Sequence, residues 1–190
     1  MAAMPAVDLE GLLKNASSVT DVVDVLIDKF HSWFGGVGDV RDKTRYLEIT
    51  LVNMSTRSQH VVMEDNWFDS GRFWSAPFGS IPPGSAKTFF VCDKDGSLFT
   101  GVSGGIGLRV YEGGSGNAFE DGNGWSWWIC SFSNPYSGSS KCLTRWKGFG
   151  IKPLWEKMNK AQVVTDARCG CYQKADKHMV FLWKDPETHW

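Results

Sequence analysis

Asp21, Asp24 and Asp28 fall within about 60° of one another on a projection that advances ~100° per residue, and Glu10 projects to the same side. On a single copy such carboxylates are a solvated helix face. Around a lumen shared by several copies they would form stacked acidic rings that favour cations, so these four are candidate pore-lining residues. Catalytic chemistry finds less support. His31, His60, His178 and His189 lie far apart, and the chain has no HExxH, P-loop or Gly-x-Ser-x-Gly elbow. No enzyme activity, metal or cofactor is expected. Cys92, Cys130, Cys142, Cys169 and Cys171 are odd in number and lack zinc-type spacing. Free buried thiols and a Cys130–Cys142 bridge both fit them.

The acids sit on an element with an opposite, apolar side. Leu9, Leu12, Ala16, Val19, Val22, Val23, Leu26, Ile27, Phe30, Trp33 and Phe34 collect there in one helical register. As one continuous helix, Asp8 to Phe34 would run about 40 Å, longer than a ~30 Å hydrocarbon core. Each Asp or Lys at mid-bilayer costs roughly 2.5–3.5 kcal/mol, so one copy cannot cross alone, whereas several copies around water can. The plainer alternative is a helix docked on its own domain, as most amphipathic helices are. Ser18 followed by Asp21 resembles a capping box, which predicts a break near Asn15–Ser18 and, in water, a helix from Val19 to Phe34 stopped by Gly35-Gly36.

The rest of the 190 residues reads as one domain, 42% hydrophobic and able to bury a core. Net charge is −1, of which the stretch from Asp8 to Phe34 carries −3, leaving +2 on the remainder. That is too little for a nucleic-acid surface. The N-terminus lacks a basic start and apolar core of a secretory signal; it reads as a chain stored in the cytoplasm, or secreted and already trimmed. Past Gly38 the period becomes two. Strands are predicted at Arg45 to Asn53, Gln59 to Glu64, Lys87 to Cys92, Gly105 to Glu112, Trp125 to Ser133, Ala161 to Thr165 and His178 to Lys184. A short helix is expected over Pro153 to Lys160. The organisation is an N-terminal amphipathic region (1–44), a β-sandwich body (45–185) and a tail (186–190).

Several short segments occur in a recognisable order: Arg45 opening the first strand, Trp67-Phe68-Asp69-Ser70-Gly71, Pro83-Gly84, Thr100-Gly101-Val102-Ser103-Gly104, Phe132-Ser133-Asn134-Pro135-Tyr136, and Lys174-Ala175 before the final strand. From about Val22 to Lys184 the chain thereby resembles the actinoporins, pore-forming cytolysins first known from sea anemones. The resemblance implies a mainly β fold, a ten-stranded sandwich flanked by two α-helices with the N-terminal one amphipathic. It implies a toxin, monomeric in water, that binds membrane lipid, inserts that helix and assembles into a homo-oligomeric, cation-permeable pore, with a defensive or insecticidal role. Family headgroup contacts carry over to Ser70, Ser133, Pro135 and Tyr136; Ser103, which stands where the family turn has Val, and Trp155, what remains of a tyrosine cluster, are candidate headgroup residues beside them.

This sequence departs from the family pattern where a tyrosine cluster would stand: Trp155 is followed by Asn159 and Lys160. Choline lipids are therefore expected to be poor receptors, with another headgroup, a glycolipid or a receptor at the target-cell membrane in their place. Phe73, Trp74, Phe78 and Trp146 are expected to enter the membrane interface. The rival reading is a Trp-rich β-sandwich lectin or lipid-binding module that makes no pore.

Overall fold

A computed structural model describes residues 8–15, 17–31, 40, 43–75, 79–94, 100–112, 127–147, 150–160 and 167–185. The predicted strand at Ala161 to Thr165, the end of the first helix at Phe34 and the tail lie outside these residues.

The expected break in the amphipathic region is present. Helix α1 spans Leu9–Asn15 and α2 spans Val19–His31. Asp8 Oδ1 accepts from the Gly11 backbone N–H at 2.9 Å, and Ser18 Oγ accepts from that of Asp21 at 3.2 Å, so each helix starts on a side-chain cap. The Asp21 carboxylate accepts from Ser17 Oγ, one residue before the cap expected to answer it. Hydrogen bonds from Ser17 and Ser18 hold the Asp21 carboxyl below the ordinary aspartate value.

Among the described residues ten strands follow: β1 (Tyr46–Asn53), β2 (Gln59–Ser70), β3 (Arg72–Ser75), β4 (Ser80–Ile81), β5 (Ser85–Cys92), β6 (Val102–Glu112), β7 (Trp127–Asn134), β8 (Lys141–Trp146), β9 (Cys169–Ala175) and β10 (His178–Trp183). They form two five-stranded sheets, β3-β5-β1-β10-β9 and β4-β2-β6-β7-β8, with α3 (Ile151–Asn159) between β8 and β9 in the chain. The protein is a mainly β sandwich flanked by helices. Within the first sheet β1 and β10 run parallel, Glu48 beside His178.

Alternation builds the core. Leu47, Ile49 and Leu51 of β1, Phe89 and Val91 of β5, and Met179, Phe181 and Trp183 of β10 face Ile106 and Leu108 of β6, Trp128, Cys130 and Phe132 of β7 and Trp146 of β8. The buried Trp128 indole donates to Thr144 Oγ1 at 2.7 Å, and that hydroxyl donates onward to the Ile129 carbonyl at 2.8 Å. A separate apolar cluster joins α2 to the outer face of the first sheet. Val22, Val23 and Leu26 pack on Val52, Met54, Ala86, Val180 and Leu182.

All five thiols are free. In the register of β7 and β8, Cys130 stands opposite Thr144 and Cys142 opposite Phe132. The Cys142 thiol instead shares a hydrogen bond with Cys171 of β9, and that bond together with burial pushes the Cys171 thiol upward.

At one end of the sandwich, Gly71 alone carries the chain from β2 in one sheet to β3 in the other. Its φ of 93° is open to glycine, and a Cβ there would stand 2.7 Å from the Cys92 carbonyl oxygen. The candidate site lies at this end.

Candidate functional site

The outer face of the second sheet is shaped to receive α3. Residues 103, 105 and 107 of β6 point outward, and two of them are glycine. A Cβ on Gly105 would lie 2.6 Å from Ile151 Cγ2 and 2.8 Å from the Cys130 carbonyl oxygen, so the bare backbone is what lets the helix settle. Ile151, Leu154 and Met158, spaced three and four apart, are the buried side of α3. Pro153 falls in the first turn, where its missing N–H costs nothing. On the flank, Trp155 donates its indole N–H to Ser103 Oγ at 2.6 Å and meets Trp67 edge-on at 5.1 Å.

Strand register supplies the floor. Ser70 pairs with Ser103, Ser103 with Ser133, and Ser133 with Lys141, giving a row across β2, β6, β7 and β8. Paired residues point to the same face of a sheet, so three hydroxyls and an ammonium stand side by side. A bulge between Phe68 and Ser70 makes Asp69 the extra, unpaired residue of β2. Bulges re-aim side chains in this way.

The segment after β7 forms the wall. Asn134 Nδ2 donates to the Tyr46 carbonyl at 3.1 Å, and Ser140 Oγ donates to Asn134 Oδ1 at 3.2 Å. Arg45 Nη2 donates to the Tyr136 carbonyl at 2.6 Å while its guanidinium lies 5.3 Å from the centroid of the Tyr136 ring. Gly101 is required for closeness here, because a Cβ would stand 2.4 Å from the Asn134 carbonyl oxygen.

Between floor, wall and α3 opens a pocket of about 370 Å³, lined by Asp69, Ser70, Gly101, Ser103, Ser133, Pro135, Tyr136, Ser137, Trp155 and Asn159. All six residues expected to contact a headgroup line this one pocket. Ser103 and Ser133 are each 7% exposed, so their hydroxyls are available only from the pocket. Ser103 Oγ accepts from the indole and still has its own proton to donate. Sequence reasoning passed over Asp69, Asn159 and the role of Arg45. Asp69 was hidden by its bulge, and Arg45 acts on a carbonyl 91 residues away.

The expected interface aromatics fare differently. Trp146 is 6% exposed and packs 5.7 Å from Trp183 inside the sandwich. It is a core residue and not an interface anchor, because β8 places it inward, opposite Trp128. Phe73 also packs against the core, edge-on to Phe68 at 4.9 Å. Trp74 is half-buried against Val40, Phe90 and Cys92, with Lys43 and Arg72 each over its ring at 5.5 and 5.6 Å. Phe78 lies outside the described residues.

Of the acidic face, Asp21 and Asp28 are exposed. Asp24 is paired with Lys174, 2.9 Å from Nζ to Oδ1. The Glu10 side chain lies outside the described set. Under α2, Tyr172 packs against the same apolar cluster, and its hydroxyl has no hydrogen-bond partner among the described residues. Burial, then the Asp24 carboxylate, pushes that phenol up to about 12. Among the described residues no helix is long and apolar enough to cross a membrane, and no cluster of His, Cys, Asp and Glu could hold a metal.

No protein-family model matches the sequence, and no curated protein matches it. Among solved structures the chain is similar to that of the lipid binding protein Nakanori, at 11% identity, over 93% of this chain and 84% of that one, with a TM-score of 0.48. So loose a superposition carries no inference about what this chain binds.

Proposed function

We propose that this protein is a pore-forming cytolysin of the actinoporin-like type. It holds a lipid headgroup of the target-cell membrane in the pocket under α3, then releases its N-terminal helices, which insert and line a cation-permeable pore with other copies. The observation that carries the reading is the convergence on one pocket of Ser70, Ser103, Ser133, Pro135, Tyr136 and Trp155, which the sequence scatters over 86 positions. Hydroxyls beside an aromatic wall suit a polar headgroup on an apolar tail. Among the described residues no histidine lines the pocket to activate a serine, which favours binding over catalysis.

The attachment of α2 suits release. Val22, Val23 and Leu26 hold the helix, but its ion pair to Lys174 is partly exposed and worth at most about 1 kcal/mol. The buried Tyr172 hydroxyl beneath it opposes docking, because an unsatisfied buried donor costs about 1–3 kcal/mol. Lifting the helix wets that hydroxyl and frees Asp24 to join Asp21 and Asp28 on a lumenal face.

Dye leakage from vesicles of target-membrane lipids tests the reading. Removing residues before Thr20 leaves only residues 20–31 of the described helix, about 18 Å at ~1.5 Å per residue and too short to span, so the variant is expected to bind membranes but release no dye. Undiminished leakage refutes helix insertion. Membrane binding without leakage by the intact chain leaves a lipid-binding module.

A further inference from the structure

We infer that the headgroup this pocket selects is a phosphoethanolamine, a phosphodiester joined to a primary ammonium, carried by a lipid of the target membrane. The inference rests on the membrane-binding reading above and adds to it the chemistry of the ligand.

The pocket has a donor side and an acceptor side. The hydroxyls of Ser70, Ser103 and Ser133 stand in register, and Lys141 continues the row as an exposed ammonium at its β8 edge. Hydroxyl donors backed by a cation suit phosphate oxygens. At the β2 edge the Asp69 carboxylate lines the same pocket and makes no hydrogen bond or ion pair among the described residues. From β2 to β7 is two strand spacings, about 10 Å. A small zwitterion fits that span, phosphate on the serines and cation on Asp69.

The choice between primary and quaternary ammonium follows from the aromatics. A quaternary ammonium has no N–H and is held by aromatic faces. Here the ring of Tyr136 already carries the Arg45 guanidinium, a fixed positive charge that repels a second cation. The indole of Trp155 is committed edge-on to Trp67 and through its N–H to Ser103. Asp69 is the uncommitted group, and a carboxylate gains most from a cation that can donate to it. A purely anionic headgroup would place negative charge beside Asp69.

Vesicle flotation decides the matter with three compositions: phosphatidylcholine alone, an equimolar mixture with phosphatidylethanolamine, and an equimolar mixture with phosphatidylserine. The ethanolamine mixture is expected to bind about tenfold tighter than the choline vesicles, the worth of one charge-assisted hydrogen bond. Soluble O-phosphoethanolamine should compete and phosphocholine should not, which separates headgroup recognition from bilayer packing. Asp69→Asn, isosteric and exposed, should bring ethanolamine and choline vesicles to equal affinity, while Lys141→Gln weakens both alike. Equal binding of choline and ethanolamine vesicles by the native chain overturns the inference and leaves membrane binding standing, as does preference for the serine mixture or an Asp69→Asn variant that keeps its preference. Binding to none of the three overturns both.

Discussion

Leu26→Ala separates the helix from the sandwich energetically. Leu26 is fully buried, but in the cluster formed by α2 and the outer face of the β1 sheet rather than in the core between the sheets. Truncating a buried leucine costs about 2–5 kcal/mol. If α2 opens as a local unit, that loss falls on helix docking and not on the sandwich. At about 1.4 kcal/mol per factor of ten, amide exchange over residues 19–31 should accelerate roughly 30- to 4,000-fold. Amides of β1 and β10, which hydrogen-bond in the middle of the sheet, should be unchanged. Mass-spectrometric hydrogen exchange measures both segments in one experiment, and dye leakage from responsive vesicles should begin with a shorter lag. Equal acceleration in the helix and in β1 would mean that α2 unfolds only with the whole domain. Helix release on an intact body would then be refuted.

Thr144→Val keeps the shape of the side chain but leaves the fully buried Trp128 N–H without its acceptor; a loss of about 2 kcal/mol is expected, seen as a fall of roughly 4–8 °C in thermal denaturation. Gly105→Ala drives a methyl against Ile151 and the Cys130 carbonyl, so it should cost about 1–3 kcal/mol and weaken vesicle binding by shifting Trp155, whereas native melting and binding together would show that α3 does not depend on that contact. The Asp21 carboxyl is lowered in the folded state by Ser17 and Ser18. Its contribution to capping α2 is thus full above the ordinary aspartate value and lost as pH falls through the lowered one. Circular dichroism of Asp21→Asn should lack that acid transition while the native chain shows it.

Strands with one buried face could be read directly. Leu47, Ile49 and Leu51 alternate with Glu48 and Thr50, and β1 begins within one residue of its expected start. Where the period fails, the strand was missed or cut short. The bulges in β2 carry it six residues past Glu64, and β3, β4 and β9 are too short or too polar to alternate visibly. β8 was overlooked although Cys142, Thr144 and Trp146 do alternate inward. Tryptophan was the most misleading residue, because its type suits a core and a membrane interface equally. Register, not composition, put Trp146 inside. The pocket residues were named by resemblance, since nothing local to Ser70, Ser103 or Ser133 shows that hydrogen-bonded pairing aligns them. Asp69 was invisible for a related reason: only a bulge on a paired strand turns it into the pocket.

The parallel pairing of β1 with β10 matters during biosynthesis. His178 takes its place beside Glu48 only after 130 further residues have been made, and Val180 and Leu182 of the same strand form part of the floor on which α2 rests. Until β10 leaves the ribosome, the amphipathic helix lacks the part of its seat formed by Val180 and Leu182. Long-range closure of this kind is slow. On the pore-forming reading proposed above, a nascent chain stalled before residue 178 would carry the amphipathic helix without the part of its seat that β10 supplies.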